Sequence, residues 1–257
     1  MPGVTATLIT LNESANLAAA LESVSWADEI IVVDAESTDD TAAIARRYTD
    51  RVIVRPWPGY LEQKNFAASE ASHDWIFSLD ADERVTPALA GEVRALLEAG
   101  PACAGYRVPR VSRYLGRWVR STDWYPDYQL RLYDRRRAKW AGRYVHESVQ
   151  AEGAVGRLRA DLEHHPYRDV SHHLRTIDRY SSLAARQLFE DGRRTGPVRI
   201  VSHAGAAFLR NYLLRRGIKD GAAGLIVSLL NAHYVAMKFV KLWEAGQKTG
   251  DRRQKTQ

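Results

Sequence analysis

FSLDADERVTP, residues 77–87, is the stretch from which the rest of the chain can be read. An apolar run ends in Asp80, Ala81, Asp82 and Glu83, and Pro87 then stands where a helix takes its first turn. A strand that passes through a short acidic turn into a helix is one half of a βαβ unit. The turn also poses an electrostatic question. Its carboxylates repel one another, and burying any of them is costly without a positive partner. Either the cluster is a solvated turn, or something positive sits beside it.

Working outward, the pattern repeats. Residues 4–11, 29–34 (EIIVVD), 51–55 and 75–79 read as short apolar strands. Residues 16–24, 41–48, 60–72 and 87–98 carry helical spacing, with Ser37 or Asp39 available to cap the second of these. Strand and helix in alternation predict an α/β fold, Rossmann-like, with a mostly parallel sheet and helices on both faces. After Gly100 the rhythm changes. Residues 106–114, 128–133 and 155–165 suggest strands, and from Ser171 onward Leu174, Ile177, Tyr180 and Leu183 recur at helical spacing. The expected organisation is a nucleotide-binding and catalytic domain over 1–168, a helical region over 169–244, and a polar, disordered tail over 245–257.

Bulk composition narrows the class. With 257 residues, 45% of them hydrophobic, the chain can fill a substantial core. One cysteine, Cys103, excludes an internal disulfide framework and a four-cysteine zinc site. The N-terminus lacks a basic start before its apolar run and reads as a first strand, not as a secretion signal. The net charge of +6 is concentrated: residues 110–143 hold ten Arg or Lys against three Asp, a local balance of +7. Such a segment is either a phosphate-binding surface or a solvated face.

The acids are placed more tellingly. In open α/β sheets ligands gather at the carboxyl ends of the strands. Glu13 follows the first expected strand, Asp34 ends the second, and Asp80 and Asp82 end the fourth. Asp after a strand is common turn chemistry. Asp80 and Asp82, one residue apart, can also turn toward one hard cation such as Mg²⁺ or Mn²⁺, which takes carboxylate oxygens and shares its remaining positions with phosphate.

VVDAESTDDT (32–41), GYLEQKN (59–65), FSLDADE (77–83) and the opening TLITLNES (7–14) together resemble the inverting glycosyltransferases of family 2, with the GT-A fold. WYPDYQLRLYDRR (124–136) and VHE (145–147) bring the resemblance closest to lipopolysaccharide-core glucosyltransferases of the WaaE/KdtX type. It covers roughly residues 4–243, and Asp40 stands where many relatives have glycine. The resemblance implies a metal-dependent transfer of a sugar, with UDP-glucose as the guess for the donor, to a lipopolysaccharide inner-core or other lipid-linked acceptor. It implies Mg²⁺ or Mn²⁺ as cofactor. Thr10, Glu13 and Asp34 would bind the nucleoside, with Lys64 and Asn65 approaching the acidic edge. Asp80 would touch the ribose or the metal, Asp82 would be the direct metal ligand, and His146 a further metal or diphosphate contact. Asp127 is the first candidate for the base that deprotonates the acceptor and Glu147 the second.

Arg131 and Arg135, four apart on an expected strand, share a face and are candidates for the diphosphate. Trp118, Trp124, Tyr125 and Tyr128 offer flat faces to a sugar or to the core. The pairs His164–His165 and His172–His173 read as structural, because neighbouring side chains diverge.

Residues 221–237 carry no formal charge, and Arg215, Arg216, Lys219, Lys238 and Lys241 flank them. This is marginal for a spanning helix but suits helices lying on an anionic membrane surface. The expected location is therefore cytoplasmic and peripheral, at the inner face of the cytoplasmic membrane. Three rivals remain. One is a polyprenyl-phosphate glycosyltransferase, whose DFRL-type segment the stretch around Asp127 resembles. A nucleotidyltransferase would carry a Gly-rich loop after the first strand, where TLNESAN (10–16) has no glycine. A nucleic-acid-binding protein would use the basic segment but leave the acids unexplained, so no nucleic-acid partner is expected.

Overall fold

A computed structural model describes residues 2–142 and 147–254. The chain divides into two compact units. The first comprises Met1–Ser112 and Pro126–His165, and the second Arg113–Tyr125 and Pro166–Gln257. The sequence placed this division at a single point, 168/169. The aromatic stretch 113–125 instead joins the C-terminal helices.

In the first unit, strands β1 (Val4–Thr10), β2 (Glu29–Asp34), β3 (Val52–Val54) and β4 (Trp75–Asp80) alternate with helices α1 (Leu17–Ser23), α2 (Thr41–Ala45) and α3 (Tyr60–Ser69). After β4 come β5 (Glu83–Val85), α4 (Pro87–Ala99), β6 (Gly105–Tyr114), β8 (Asp127–Asp134) and β9 (Ala138–Ala141). The unit ends with β10 (Ser148–Ala151), β11 (Val155–Arg157) and β12 (Leu162–His164). Strand β7 (Arg117–Val119) belongs to the second unit.

The main sheet runs β3-β2-β1-β4-β8-β6-β12-β5. It is parallel from β3 to β4, and β8 enters antiparallel between β4 and β6. Ile30–Val33, the inner residues of EIIVVD, are all apolar because the strand is covered on both faces. Val32 joins the core built with α1, α2 and α4, to which Leu17, Leu21, Ala45, Leu89 and Val93 contribute. Ile31 and Val33 join the opposite core, with Ala67 and Ala68 of α3 and Trp140 of β9. Asp40, in the glycine position, has an ordinary φ of −71°. The left-handed residue of that loop is Glu36.

In the second unit, α5 (Val170–Glu190), α6 (Pro197–Leu209) and α7 (Gly221–Gln254) are joined through a π turn at Arg210–Leu214 and a tight turn at Gly217–Asp220. Helix α7 includes residues 245–254, so that part of the expected disordered tail is helical. Tyr114, Val119, Ala223 and Val227 form this unit's core, with Trp124 and Tyr167 packed on it. A Cβ on Gly224 would fall 1.9 Å from the Gly217 carbonyl oxygen, so the start of α7 depends on glycine there.

Candidate functional site

Sheet register brings the predicted acids to one edge. Thr10 at the end of β1 lies opposite Asp34 at the end of β2, and Ile9 lies opposite Asp80 at the end of β4. β8 runs the other way, so Asp127 at its start reaches this same edge.

Each carboxylate of the 80–83 turn is held by at least one basic side chain. Lys64 Nζ donates to Asp80 Oδ1 (2.7 Å), and Arg131 Nη2 donates to Asp80 Oδ2 (2.6 Å) and to Glu83 Oε1 (2.5 Å). Arg110 Nη1 donates to Glu83 Oε1 (2.9 Å), while its Nε and Nη2 hold Asp127 Oδ2 at 2.9 and 2.6 Å. Asp82 Oδ2 lies 3.3 Å from Nε2 of His164, whose Nδ1 is 3.0 Å from Ser112 Oγ. The turn is therefore not a solvated loop. Arginines from two distant strands, a lysine and a histidine hold it. Burial raises the Asp80 carboxyl, but Arg131 and then Lys64 outweigh it and hold it far below the carboxylate range. Burial likewise raises Asp82, and His164 brings it below its ordinary value.

Asp34 is buried beneath the next turn. Its Oδ1 accepts from Thr10 Oγ1 (2.8 Å) and Ser37 Oγ (2.6 Å), and its Oδ2 from the Ser37 amide (2.8 Å). Glu13 accepts from Asn16 Nδ2 at 3.0 Å, and its own amide donates to Thr41 Oγ1 at 2.8 Å. The β1 and β2 loops are thus tied to each other around Asp34. Lys64 lies 4.0 Å above the Trp140 ring while it holds Asp80. Glu147 feels the charge of Lys64, yet burial pushes its carboxyl above the ordinary value.

Two predicted residues are elsewhere in their contacts. Arg135 donates to the carbonyls of Ala68 and Ser69 at the end of α3, at 3.0 and 3.2 Å. It lies in the turn just past the end of β8, about 13 Å along from Arg131 and toward the opposite end of the sheet. Asn65 exchanges two hydrogen bonds with the Trp140 backbone, at 2.9 and 3.0 Å, and so fixes β9 to α3. His146 lies outside the described residues.

Glu83, Arg110 and His164 were missed as site residues. Glu83 looked like one more turn acid, and nothing local in the sequence points to its burial. His164 was read as structural, but divergence of neighbouring strand residues is what sends one of the pair to Asp82. The β5–β12 pairing sets His164 directly across from Glu83.

The Glycosyl transferase family 2 profile matches residues 5–166. The chain belongs to this family. The glycosyltransferase is 33% identical over 249 residues to the lipopolysaccharide core biosynthesis glycosyltransferase LpsC of Rhizobium meliloti (strain 1021), covering 94% of this chain and 92% of that one. It is 30% identical over 261 residues to an uncharacterized glycosyltransferase of Rickettsia prowazekii, covering 97% and 89%. Among solved structures it resembles the mannosyltransferase PcManGT of Pyrobaculum calidifontis in complex with GDP-Man and Mn²⁺, with a TM-score of 0.58 at 17% identity over 95% of this chain and 88% of that one. That likeness supports the GT-A fold.

Among the described residues of the glycosyltransferase, no group of three His, Cys, Asp or Glu is arranged to hold a metal by itself. Asp82 with His164 offers one carboxylate and one imidazole. The carboxylate fits Mg²⁺ or Mn²⁺, which take only one or two protein ligands when a diphosphate supplies others, and the imidazole suits the softer Mn²⁺ better than Mg²⁺.

Proposed function

We propose that this glycosyltransferase moves a sugar, with inversion, from a nucleoside diphosphate onto a lipopolysaccharide-core or other lipid-linked acceptor. The observation that carries the reading is the Asp82–His164 pair beside Asp80, at the strand edge where Asp34 and Thr10 meet. Asp82 and His164 would hold the divalent ion, Mg²⁺ or Mn²⁺. Bound there, it would supply positive charge to the departing diphosphate.

The chain's own residues perform the rest. Asp34, held by Thr10 and Ser37, shapes the nucleoside pocket and keeps one Oδ2 lone pair for the ribose. Lys64 and Arg131 fix Asp80 as an anion beside it. In the transfer, an acceptor oxygen attacks the anomeric carbon, the bond from that carbon to the diphosphate oxygen breaks, and the acceptor proton passes to a carboxylate. Glu147 suits that last role better than Asp127. Asp127 is already held by Arg110 and, through Oδ1, by Gln129 Nε2 at 2.7 Å. Burial raises the Glu147 carboxyl above its ordinary value, the direction that favours a general base.

UDP-glucose is the first donor to test, and an inner-core sugar the first acceptor. A polyprenyl phosphate is the second acceptor, favoured by the apolar helices of the second unit. Either acceptor would place the reaction at the cytoplasmic face of the membrane. The basic segment 110–143 adds little support to a nucleic-acid partner, because Arg110, Arg131, Arg135 and Arg136 spend their guanidinium groups on internal acids and carbonyls.

The test is calorimetric titration of UDP- and GDP-sugars into the protein with Mn²⁺, repeated with EDTA. Metal-dependent binding of one donor supports the reading. Metal-independent binding, or binding of none, overturns it.

A further inference from the structure

The second unit leaves an apolar surface uncovered. On α6 only Ala207 is buried, while Val198 and Val201, one helical turn apart, are 83% and 74% exposed. The stripe continues through Leu209 and Leu213 to Leu214, 79% exposed, and Ile218. A groove between α6 and α7, lined throughout by apolar residues with Val201, Phe208 and Leu229 among them, extends it onto the last helix. Six large aliphatic side chains on one connected stretch exceed the scattered exposure normal for a soluble surface.

Cations predominate beside this face, with Arg210 and Arg215 paired to Asp123. Residues 192–219 hold seven Arg or Lys and no Asp or Glu. Arg199, Arg216 and Lys219 are exposed next to the apolar side chains. Aliphatic residues interleaved with cations match a bilayer interface containing anionic lipid, in which hydrocarbon receives the first and headgroup phosphates the second.

Lying on the membrane suits the unit better than crossing it. Helix α7 is long and apolar enough to span, and 22% of its most apolar window is buried. Yet Lys241, well inside α7, donates to Asp178 Oδ1, Ser181 Oγ and Ser182 Oγ of α5, at 2.7, 2.8 and 2.8 Å. One face of α7 is therefore committed to polar contacts with a neighbouring helix, and only the other faces outward with α6.

We propose that the α6 face, from Val198 to Ile218 with its flanking cations, is the surface by which this chain binds anionic membranes. This deepens the lipid-linked-acceptor reading. It is tested separately from that reading, since vesicle binding reads the face and nucleotide-sugar titration reads the transferase.

The experiment is co-sedimentation of the full chain with phosphatidylcholine vesicles and with vesicles also containing phosphatidylglycerol. The wild type is expected to bind the anionic vesicles, and less so as salt rises. Val198→Asp/Leu214→Asp should weaken binding by at least about tenfold, with donor binding unchanged. Arg199→Gln/Lys219→Gln keeps the apolar face and should weaken binding about fivefold per cation. If the aspartate variant does not fold, as judged by circular dichroism, the glutamine variant and the lipid dependence of the wild type decide. Equal binding to both vesicle types, or to neither, overturns the proposal. So does a wild type that self-associates without binding vesicles and becomes monomeric in the aspartate variant, because a second copy then covers the face.

Discussion

Replacing Arg131 by Met removes the guanidinium shared by Asp80 and Glu83. The Arg131 side chain is 3% exposed and that of Glu83 0%, so no solvent compensates for the loss. Glu83 would keep its ion pair with Arg110, and Asp80 its ion pair with Lys64. Taking one partner from a buried ion pair costs about 3–5 kcal/mol, mostly through the charge left behind. With a urea dependence of about 1–3 kcal/mol per molar, the unfolding midpoint should fall by roughly 1 M or more.

The pH dependence gives a second reading. Asp80 has a depressed folded pKa, so its contribution is fully present above the unfolded value, about 4, and is lost as pH falls through the lower folded value. In Arg131→Met the folded value rises toward the unfolded one, so acid unfolding should begin at higher pH. Adding Glu83→Gln removes the buried anion with its cation and should recover part of the loss. The assay is urea denaturation followed by circular dichroism at neutral and acidic pH. A loss under about 1 kcal/mol at neutral pH, or an unchanged acid limb, would refute the view that Arg131 holds the turn.

Three further outcomes are expected. Asp82→Asn and His164→Gln should each weaken Mn²⁺-dependent donor binding by about tenfold to a hundredfold with little change in folding, and unaltered titrations would remove the pair from the metal site. Glu147→Gln should abolish the acid limb of the pH–rate profile, where activity rises as a carboxyl with a raised pKa loses its proton; if Asp127→Asn abolishes it and Glu147→Gln does not, the base is Asp127. His173 is buried, which, with His172 nearby, lowers its pKa to about 4, so stability is present above the unfolded value near 6.5 and drains away as pH falls through the folded value. The loss should reach about 3 kcal/mol at most; His173→Phe should flatten that slope, and a melting profile with the same slope would exclude the histidine as its source.

The parallel half of the sheet was legible because EIIVVD and its neighbours are apolar on both faces and because helical spacing intervenes each time. The edge where Asp34, Asp80 and Asp82 meet followed from strand direction alone. What sequence pattern could not supply was pairing across distance. Glu83 is buried only because Arg110 and Arg131 arrive from β6 and β8, dozens of positions later. The short β5 is a strand because β12 pairs with it, and its own three residues carry no periodicity. Arg135 shows the limit of a face argument, since β8 ends at Asp134 and Arg135 falls in the turn beyond it, out of the strand's period. The 113–125 stretch was aromatic enough to mark as unusual, but its partners, Ala223 and Val227, lie a hundred residues downstream.

That excursion has a consequence for how the protein is made. The ribosome delivers Tyr114, Val119 and Trp124 long before the helix that covers them, so the nascent chain carries bare aromatic surface while the catalytic unit assembles around the gap. A fragment stopped at His165 would hold every strand of the first unit and still expose those rings permanently. For this chain, the shortest stretch of gene encoding a well-behaved catalytic unit extends well beyond that unit's own last residue.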